Sequence, residues 1–200
     1  VGLSRFNTNA HLARATLEWP PRDCPPASCP PVSVLVAAYN EAKVIRQTLK
    51  TVLATHYPGA LEVVVVDDGS QDGTGDIVAA MALEDPRIRL IRQVNLGKAR
   101  ALIQGLQGVR HGIVVSLDAD TQFQPNTITE LVRPFADPQV GAVSGRARVG
   151  NLDTLFARFQ GLEYSCGFNL DRRAYDQLNC ITVVPGAVSA FRLEAIQAAG

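Results

Sequence analysis

Histidine and cysteine, the usual ligands of structural zinc, are sparse in this chain. Its three histidines (His11, His56, His111) are scattered and fit surface or helix-end positions better than catalytic ones, and its four cysteines (Cys24, Cys29, Cys166, Cys180) include no Cys-x-x-Cys pair. Neither a zinc site nor a disulfide-dense scaffold is expected from that inventory. Cys24 and Cys29 are near enough in sequence for a bridge, but free thiols are the expectation. Charge excess is missing too: 19 basic residues balance 19 acidic ones, so the clustered basic surface of a nucleic-acid partner is not anticipated. Long apolar runs are absent. Val63 to Val66 is typical, far below the roughly 20 residues of a spanning helix, and Val1 to Ala10 shows neither the charged nor the apolar region of a secretory leader.

What the 200 residues do have is a 46% apolar content, ample for one sizeable core. Residues 1–31 stand apart. Leu12, Ala13, Ala15, Leu17 and Trp19 suit a turn or two of helix, whereas Pro20, Pro21, Pro25, Pro26, Pro30 and Pro31 forbid regular structure, so this segment reads as a linker to something upstream. Residues 32–200 are expected to form the folded domain.

From Val32 onward strand and helix patterns alternate. Val32 to Ala38 is a β-branched run suited to a buried strand, and Glu41 to His56 carries Ile45, Leu49, Val52 and Leu53 at helical spacing, with Asn40 as the expected N-cap. Leu61 to Asp67 is a second strand, followed by a helix through Ile77, Val78 and Met81. Arg87 to Gln93 alternates as a third strand, Gly97 to Leu106 is a helix with Leu102, Ile103 and Leu106 inward, and Gly112 to Leu117 is a fourth strand. The alternation predicts an α/β fold: an open, mostly parallel sheet with helices on both faces.

In such sheets ligands bind at the carboxyl ends of the strands. There the chain places Tyr39-Asn40-Glu41, Asp67-Asp68-Gly69-Ser70 and Asp118-Ala119-Asp120. Taken as one extended strand end, Asp118 and Asp120 face the same way at roughly 7 Å spacing, and two carboxylates so placed invite Mg²⁺ or Mn²⁺, which take oxygen ligands and complete their shell from water and phosphates. A dinucleotide fold is argued against by the first turn, since Ala38-Tyr39-Asn40-Glu41 stands where Gly-x-Gly-x-x-Gly would be required. No P-loop is present either.

The stretches Val34-Leu35-Val36-Ala37-Ala38-Tyr39-Asn40-Glu41, Val65-Val66-Asp67-Asp68-Gly69-Ser70-Gln71-Asp72-Gly73-Thr74, Asn95-Leu96-Gly97-Lys98-Ala99 and Leu117-Asp118-Ala119-Asp120-Thr121, in this order and spacing, resemble the successive motifs of family 2 glycosyltransferases. Glu163-Tyr164, Asp171-Arg172-Arg173-Ala174-Tyr175 and Val183 to Arg192 narrow the resemblance to membrane-bound, processive N-acetylglucosaminyltransferases of the poly-β-1,6-N-acetylglucosamine synthase type. The resemblance implies a GT-A fold, a UDP-sugar donor with UDP-N-acetylglucosamine favoured, a growing polysaccharide acceptor, and Mg²⁺ or Mn²⁺ held by Asp120. It implies donor-binding roles for Ala38, Tyr39, Glu41, Asp67, Asp68, Lys98 and Asp118, catalytic roles for Asp118 and Asp120, and an acceptor channel at Gly186 and Ala187. Lys98 also has a physical case, because a cation beginning a helix opposes the macrodipole unless an anion lies beside it.

Without the family, Val183 to Arg192 reads only as a turn between a strand at Ile181 to Val184 and a helix from Leu193, with Arg192 solvated at its end. Phe156, Phe159 and Leu162 read as the core face of a helix rather than a sugar platform. The resemblance further places the general base in a Thr-Glu-Asp motif after Gly200, with a Gln-x-x-Arg-Trp motif behind it, so these residues alone are expected to bind donor without polymerising it. It puts the full-length protein at the cytoplasmic face of the cell membrane, anchored by segments outside this sequence and joined in some relatives to an upstream deacetylase, while residues 1–200 themselves are expected to be soluble. Other readings stand beside it: a nucleotide-sugar-binding module without activity, a hyaluronan, chitin or cellulose synthase relative, or a dolichyl-phosphate sugar transferase.

Overall fold

The computed structural model describes residues 29–145 and 188–199. Strand β1 (Val32–Ala38) leads to helix α1 (Ile45–Leu53), β2 (Leu61–Asp68), α2 (Thr74–Glu84), β3 (Ile88–Gln93), α3 (Lys98–Gly108) and β4 (Ile113–Asp118). After these come α4 (Thr127–Val132), a 3-10 turn (Arg133–Ala136), β5 (Ala142–Ser144), β6 (Val188–Arg192) and α5 (Leu193–Ala199). The strands lie in the order β3-β2-β1-β4-β6-β5. The first four are parallel, and β6 joins β4 and β5 antiparallel. The expected open, mostly parallel sheet is what forms.

Val63, Val64, Val65 and Val66 have no exposed surface although they alternate between the two faces of β2, because both faces are covered. On one face Val32, Val34 and Val36 meet Ile45, Leu49, Val52, Val78, Met81 and Ile128. On the other, Leu35, Val64, Val66 and Val114 meet Ala101, with Leu102, Leu106 and Leu193 at the margin. At about 1.5–3 kcal/mol for each fully buried aliphatic side chain, this two-sided burial is what fixes the strand register. The register then sets the strand ends level: Ala38 lies beside Asp67, Ala37 beside Asp118, and Asp68 beside Gln93.

Three local expectations are corrected. The first helix begins at Ile45 rather than Glu41, after a turn in which the N–H groups of Val44 and Ile45 both donate to the Glu41 carbonyl. Asn40 is therefore no N-cap; it adopts φ 56°, a left-handed conformation that Asn tolerates better than most side chains. Ile103 is 51% exposed, because α3 turns Ala101 and Gly105 inward instead.

The amino end of the sheet carries a polar clasp that the apolar pattern hides. Glu62 is buried, and its carboxylate accepts from Ser33 Oγ at 2.6 Å, the Arg110 N–H at 2.7 Å and Arg89 Nη1 at 3.2 Å. Burial is the largest single influence and pushes the Glu62 carboxyl up, but the three donors together hold it below its ordinary value. Cys29 is buried near the start of β1, and Cys24, the other half of the pairing that sequence proximity permits, lies outside the described residues.

Candidate functional site

The carboxyl ends of β1, β2 and β4 meet at one edge, and the loops that leave them are tied together by side chains rather than by apolar packing. Asn40 donates its backbone N–H to Ser70 Oγ at 2.9 Å, while its own Oδ1 accepts from the Gln71 N–H at 2.9 Å. The next two amides continue the seam: Glu41 N–H donates to Thr74 Oγ1 at 2.8 Å and Ala42 N–H to Asp72 Oδ2 at 2.9 Å. Asp72 is itself anchored by the backbone N–H and hydroxyl of Thr74. The Thr74 hydroxyl, the Ala42 amide and the Thr74 amide hold its carboxyl below the ordinary value despite an opposing burial effect.

The two acids ending β2 point to opposite faces and do different work. Asp67 accepts the Ser70 N–H at 3.0 Å and presses against the first turn of α2, where a Cβ on Gly75 would collide with its Oδ2. Asp68, 3% exposed, lies on the α3 face. Its Oδ1 accepts from Gln93 Nε2 at 2.6 Å and the Leu96 N–H at 2.9 Å, and its Oδ2 from the Gly97 N–H at 2.9 Å. Burial, the largest influence, pushes its carboxyl up; the Leu96, Gln93 and Gly97 donors outweigh it and keep the group below its ordinary value. Asp68 thereby sets the loop that starts α3. Gly69 (φ 76°) makes room for that loop, since a Cβ there would stand 2.7 Å from the Asn95 nitrogen.

Asp118 shares the α3 face through its register with Ala37. Lys98, the first residue of α3, reaches it with Nζ 2.5 Å from Oδ1. The anion that the start of this helix requires is thus supplied from within the chain. Lys98 is 56% exposed in its side chain and Asp118 30%, and pairs this open to water are typically worth about 1 kcal/mol or less.

Asp120 is not placed by strand alternation. β4 stops at Asp118, and the Thr121 N–H donates to the Asp118 carbonyl at 3.0 Å, so Ala119 and Asp120 occupy a turn. The inference that both acids share one face of an extended strand fails for that reason. They nevertheless belong to one electrostatic neighbourhood: burial first, then the negative charges of Asp120, Asp72 and Asp118, push the Glu41 carboxyl above its ordinary value. Three acids from the β2 and β4 ends therefore act on Glu41 at this edge.

The turn is braced from α1. Thr48 donates its hydroxyl to the Ala119 carbonyl at 2.7 Å, and Thr51 Oγ1 accepts the Phe123 N–H at 3.1 Å. Sequence reasoning did not single out these threonines, nor Gln93 and Asp72. A signal existed for Thr48, which sits among Ile45, Leu49 and Val52 on the apolar stripe of α1, where a hydroxyl must find a buried partner.

Ala38 is buried at the end of β1 and Tyr39 beside it is 48% exposed, leaving a ring open to solvent at the acidic edge. Among the described residues no three His, Cys, Asp or Glu side chains form a ready-made metal cage. The all-oxygen donors fit Mg²⁺ or Mn²⁺ in the manner of ions that draw most of their shell from water and phosphate. A groove of about 570 Å³ lined by Pro30, Pro31, Ile113, Phe135 and Arg192 lies at the other edge of the sheet; it holds none of the clustered acids and is set aside as a donor site on that ground. Arg192 is no solvated helix end, because it closes β6, lies over the Phe135 ring at 5.5 Å and donates to the Phe135 and Val140 carbonyls. Gly186, Ala187, Glu163, Phe156, Phe159, Leu162 and Ile181 to Val184 lie outside the described residues. No helix among the described residues is long and apolar enough to cross a membrane.

Comparison with known proteins converges on one family. The profile of glycosyl transferase family 2 matches residues 33–198. A poly-β-1,6-N-acetyl-D-glucosamine synthase of Staphylococcus epidermidis is 29% identical over 170 residues, 84% of this chain and 41% of that protein. One from Staphylococcus aureus (strain COL) is 30% identical over 166 residues, 82% of this chain and 40% of the relative. The chain thus spans about two fifths of the length of these curated relatives. Among solved structures, a mannosyltransferase from Pyrobaculum calidifontis in complex with GDP-Man and Mn²⁺ superposes with TM-score 0.64 at 28% identity, covering 96% of this chain and 53% of that one. Residues 1–349 of S. aureus TarS share the fold, with TM-score 0.54 at 22% identity over 62% of this chain and 38% of theirs.

Proposed function

This chain belongs to glycosyl transferase family 2 and has a GT-A type fold, and we propose that it is the donor-binding part of an enzyme that extends a β-linked N-acetylglucosamine polymer from UDP-N-acetylglucosamine by inverting transfer. The observation that carries the reading is the convergence of Glu41, Asp72, Asp118 and Asp120 at the carboxyl edge of the sheet, beside a lysine at the start of a helix. The names of the two staphylococcal relatives support the sugar and the polymer. The Mn²⁺ in the mannosyltransferase complex supports a divalent cation.

In this reading uridine lies on the ledge of Ala38, Tyr39 and Glu41, Asp67 and Asp68 fix the loops on either side, and Lys98 stands beside the diphosphate. Asp120 holds Mg²⁺ or Mn²⁺, with Asp118 next to it toward the donor. Such a cation neutralises charge that grows on the leaving diphosphate. Residues 1–31 serve as a linker, 32–200 as the transferase domain, and Gly186 and Ala187 line the acceptor channel. The general base is assigned to an aspartate beyond Gly200, and the whole protein to the cytoplasmic face of the membrane, with an upstream deacetylase domain as a fusion partner.

Displacement of bound UDP tests the donor. UDP-N-acetylglucosamine should compete better than UDP-glucose or UDP-glucuronate, because a site built to bond the acetamido group leaves its own polar groups unpaired with the others. Preferential binding of UDP-glucose would replace this sugar assignment with a glucosyl one.

A further inference from the structure

The Lys98–Asp118 pair joins two residues to which the donor-binding reading gives separate duties, one toward the diphosphate and one toward the donor and cation. We propose that Lys98 is a tethered counter-cation that holds Asp118 and is released only when a divalent cation and a nucleoside diphosphate bind together, which couples the two binding events. The inference rests on the donor-binding reading above.

Three observations carry it. The pair spans elements rather than neighbouring residues: α3 supplies the ammonium and the end of β4 the carboxylate, 20 positions apart, at 2.5 Å. It lies in surplus negative charge, since Glu41, Asp72 and Asp120 share that edge and their repulsion is felt at Glu41. It is also open to water at both ends, so little net stability opposes its rupture, and the flexible lysine stem swings without repacking the core.

Charge balance gives the consequence. A divalent cation arriving alone has to take Asp118 from an ammonium group already there. A diphosphate arriving alone meets four carboxylates. Together, the cation neutralises the carboxylates while the diphosphate offers Lys98 a new anion next to the α3 terminus. Each ligand therefore strengthens the other, and by linkage the effect is reciprocal.

Binding of Mn²⁺ in the absence of sugar is the direct test, followed by the electron paramagnetic resonance signal of free Mn²⁺, with and without UDP. Lys98→Met and Lys98→Gln should each bind Mn²⁺ alone more tightly than wild type, and the factor by which UDP improves Mn²⁺ affinity should fall about five-fold or more. Lys98→Arg, which keeps the charge, should stay near wild type, as should Lys50→Met in the exposed last turn of α1, which removes one positive charge elsewhere. Wild-type binding that either neutral variant reproduces, both alone and with UDP, would overturn the inference while leaving the donor-binding reading intact. Failure of wild type to bind Mn²⁺ under both conditions would overturn that reading and the inference with it.

Discussion

The hydroxyl of Thr48 donates to the carbonyl of Ala119 across 2.7 Å, so a side chain of the first helix holds the residue that separates the two acids of the β4 turn. Thr48 is 1% exposed and Ala119 is buried, and water does not replace the bond.

Thr48→Val keeps the shape and removes the donor. Leaving the Ala119 carbonyl unpaired should cost about 1–3 kcal/mol in urea unfolding, and the cation-dependent part of UDP affinity should fall by several fold as Asp120 loses its fixed position. Thr48→Ser should restore both. A variant that loses stability but retains the full cation effect would show that the turn is held by other means.

Gly69→Ala addresses the loop that Asp68 organises. Its φ of 76° and the 2.7 Å approach of its would-be Cβ to Asn95 predict a loss of about 1–3 kcal/mol. The amides of Leu96 and Gly97 should exchange hydrogen faster, because both donate to Asp68. Unchanged exchange at those two amides would contradict the described packing.

Acid should destabilise the fold through two buried carboxylates. Asp68 and Glu62 are both held below their ordinary values of 3.8 and 4.5, so they favour the folded state fully above those values and less as pH falls through their lower folded values. Urea midpoints measured from pH 7 down to pH 3 should drop, and Asp68→Asn and Glu62→Gln should each flatten the drop while lowering stability at pH 7. A variant as steep as wild type would remove its carboxylate from this account.

Much of this architecture is legible in the sequence because burial speaks through period and composition. Val32 to Ala38 and Leu61 to Asp67 read directly as strands, since a strand covered on both faces needs a near-continuous apolar run rich in valine, isoleucine and leucine. The strand ends that gather the acids follow from the parallel topology. Hydrogen bonds between distant polar residues leave no such trace. Asn40 looks like a helix cap until Ser70 and Gln71 are seen to claim it, and Asp120 looks like part of a strand until the bond from Thr121 to Asp118 turns the chain. Ile103 faces outward against its spacing because the residues α3 turns inward, Ala101 and Gly105, are small and do not announce a face. Arg192 looks solvated in the sequence for a related reason: its partners, the carbonyls of Phe135 and Val140, are more than 50 positions away.

The central claim is that the carboxyl edge of the sheet binds a nucleoside diphosphate with the help of a divalent cation at Asp120. Calorimetric titration of UDP into the wild-type chain and Asp120→Asn, each with and without Mg²⁺ or Mn²⁺, tests it most directly. The account predicts that the cation strengthens UDP binding to wild type by about ten-fold or more, and that Asp120→Asn, with its fold intact, loses most of that gain. Equal UDP affinity of the wild-type chain in the presence and absence of the cation would contradict it.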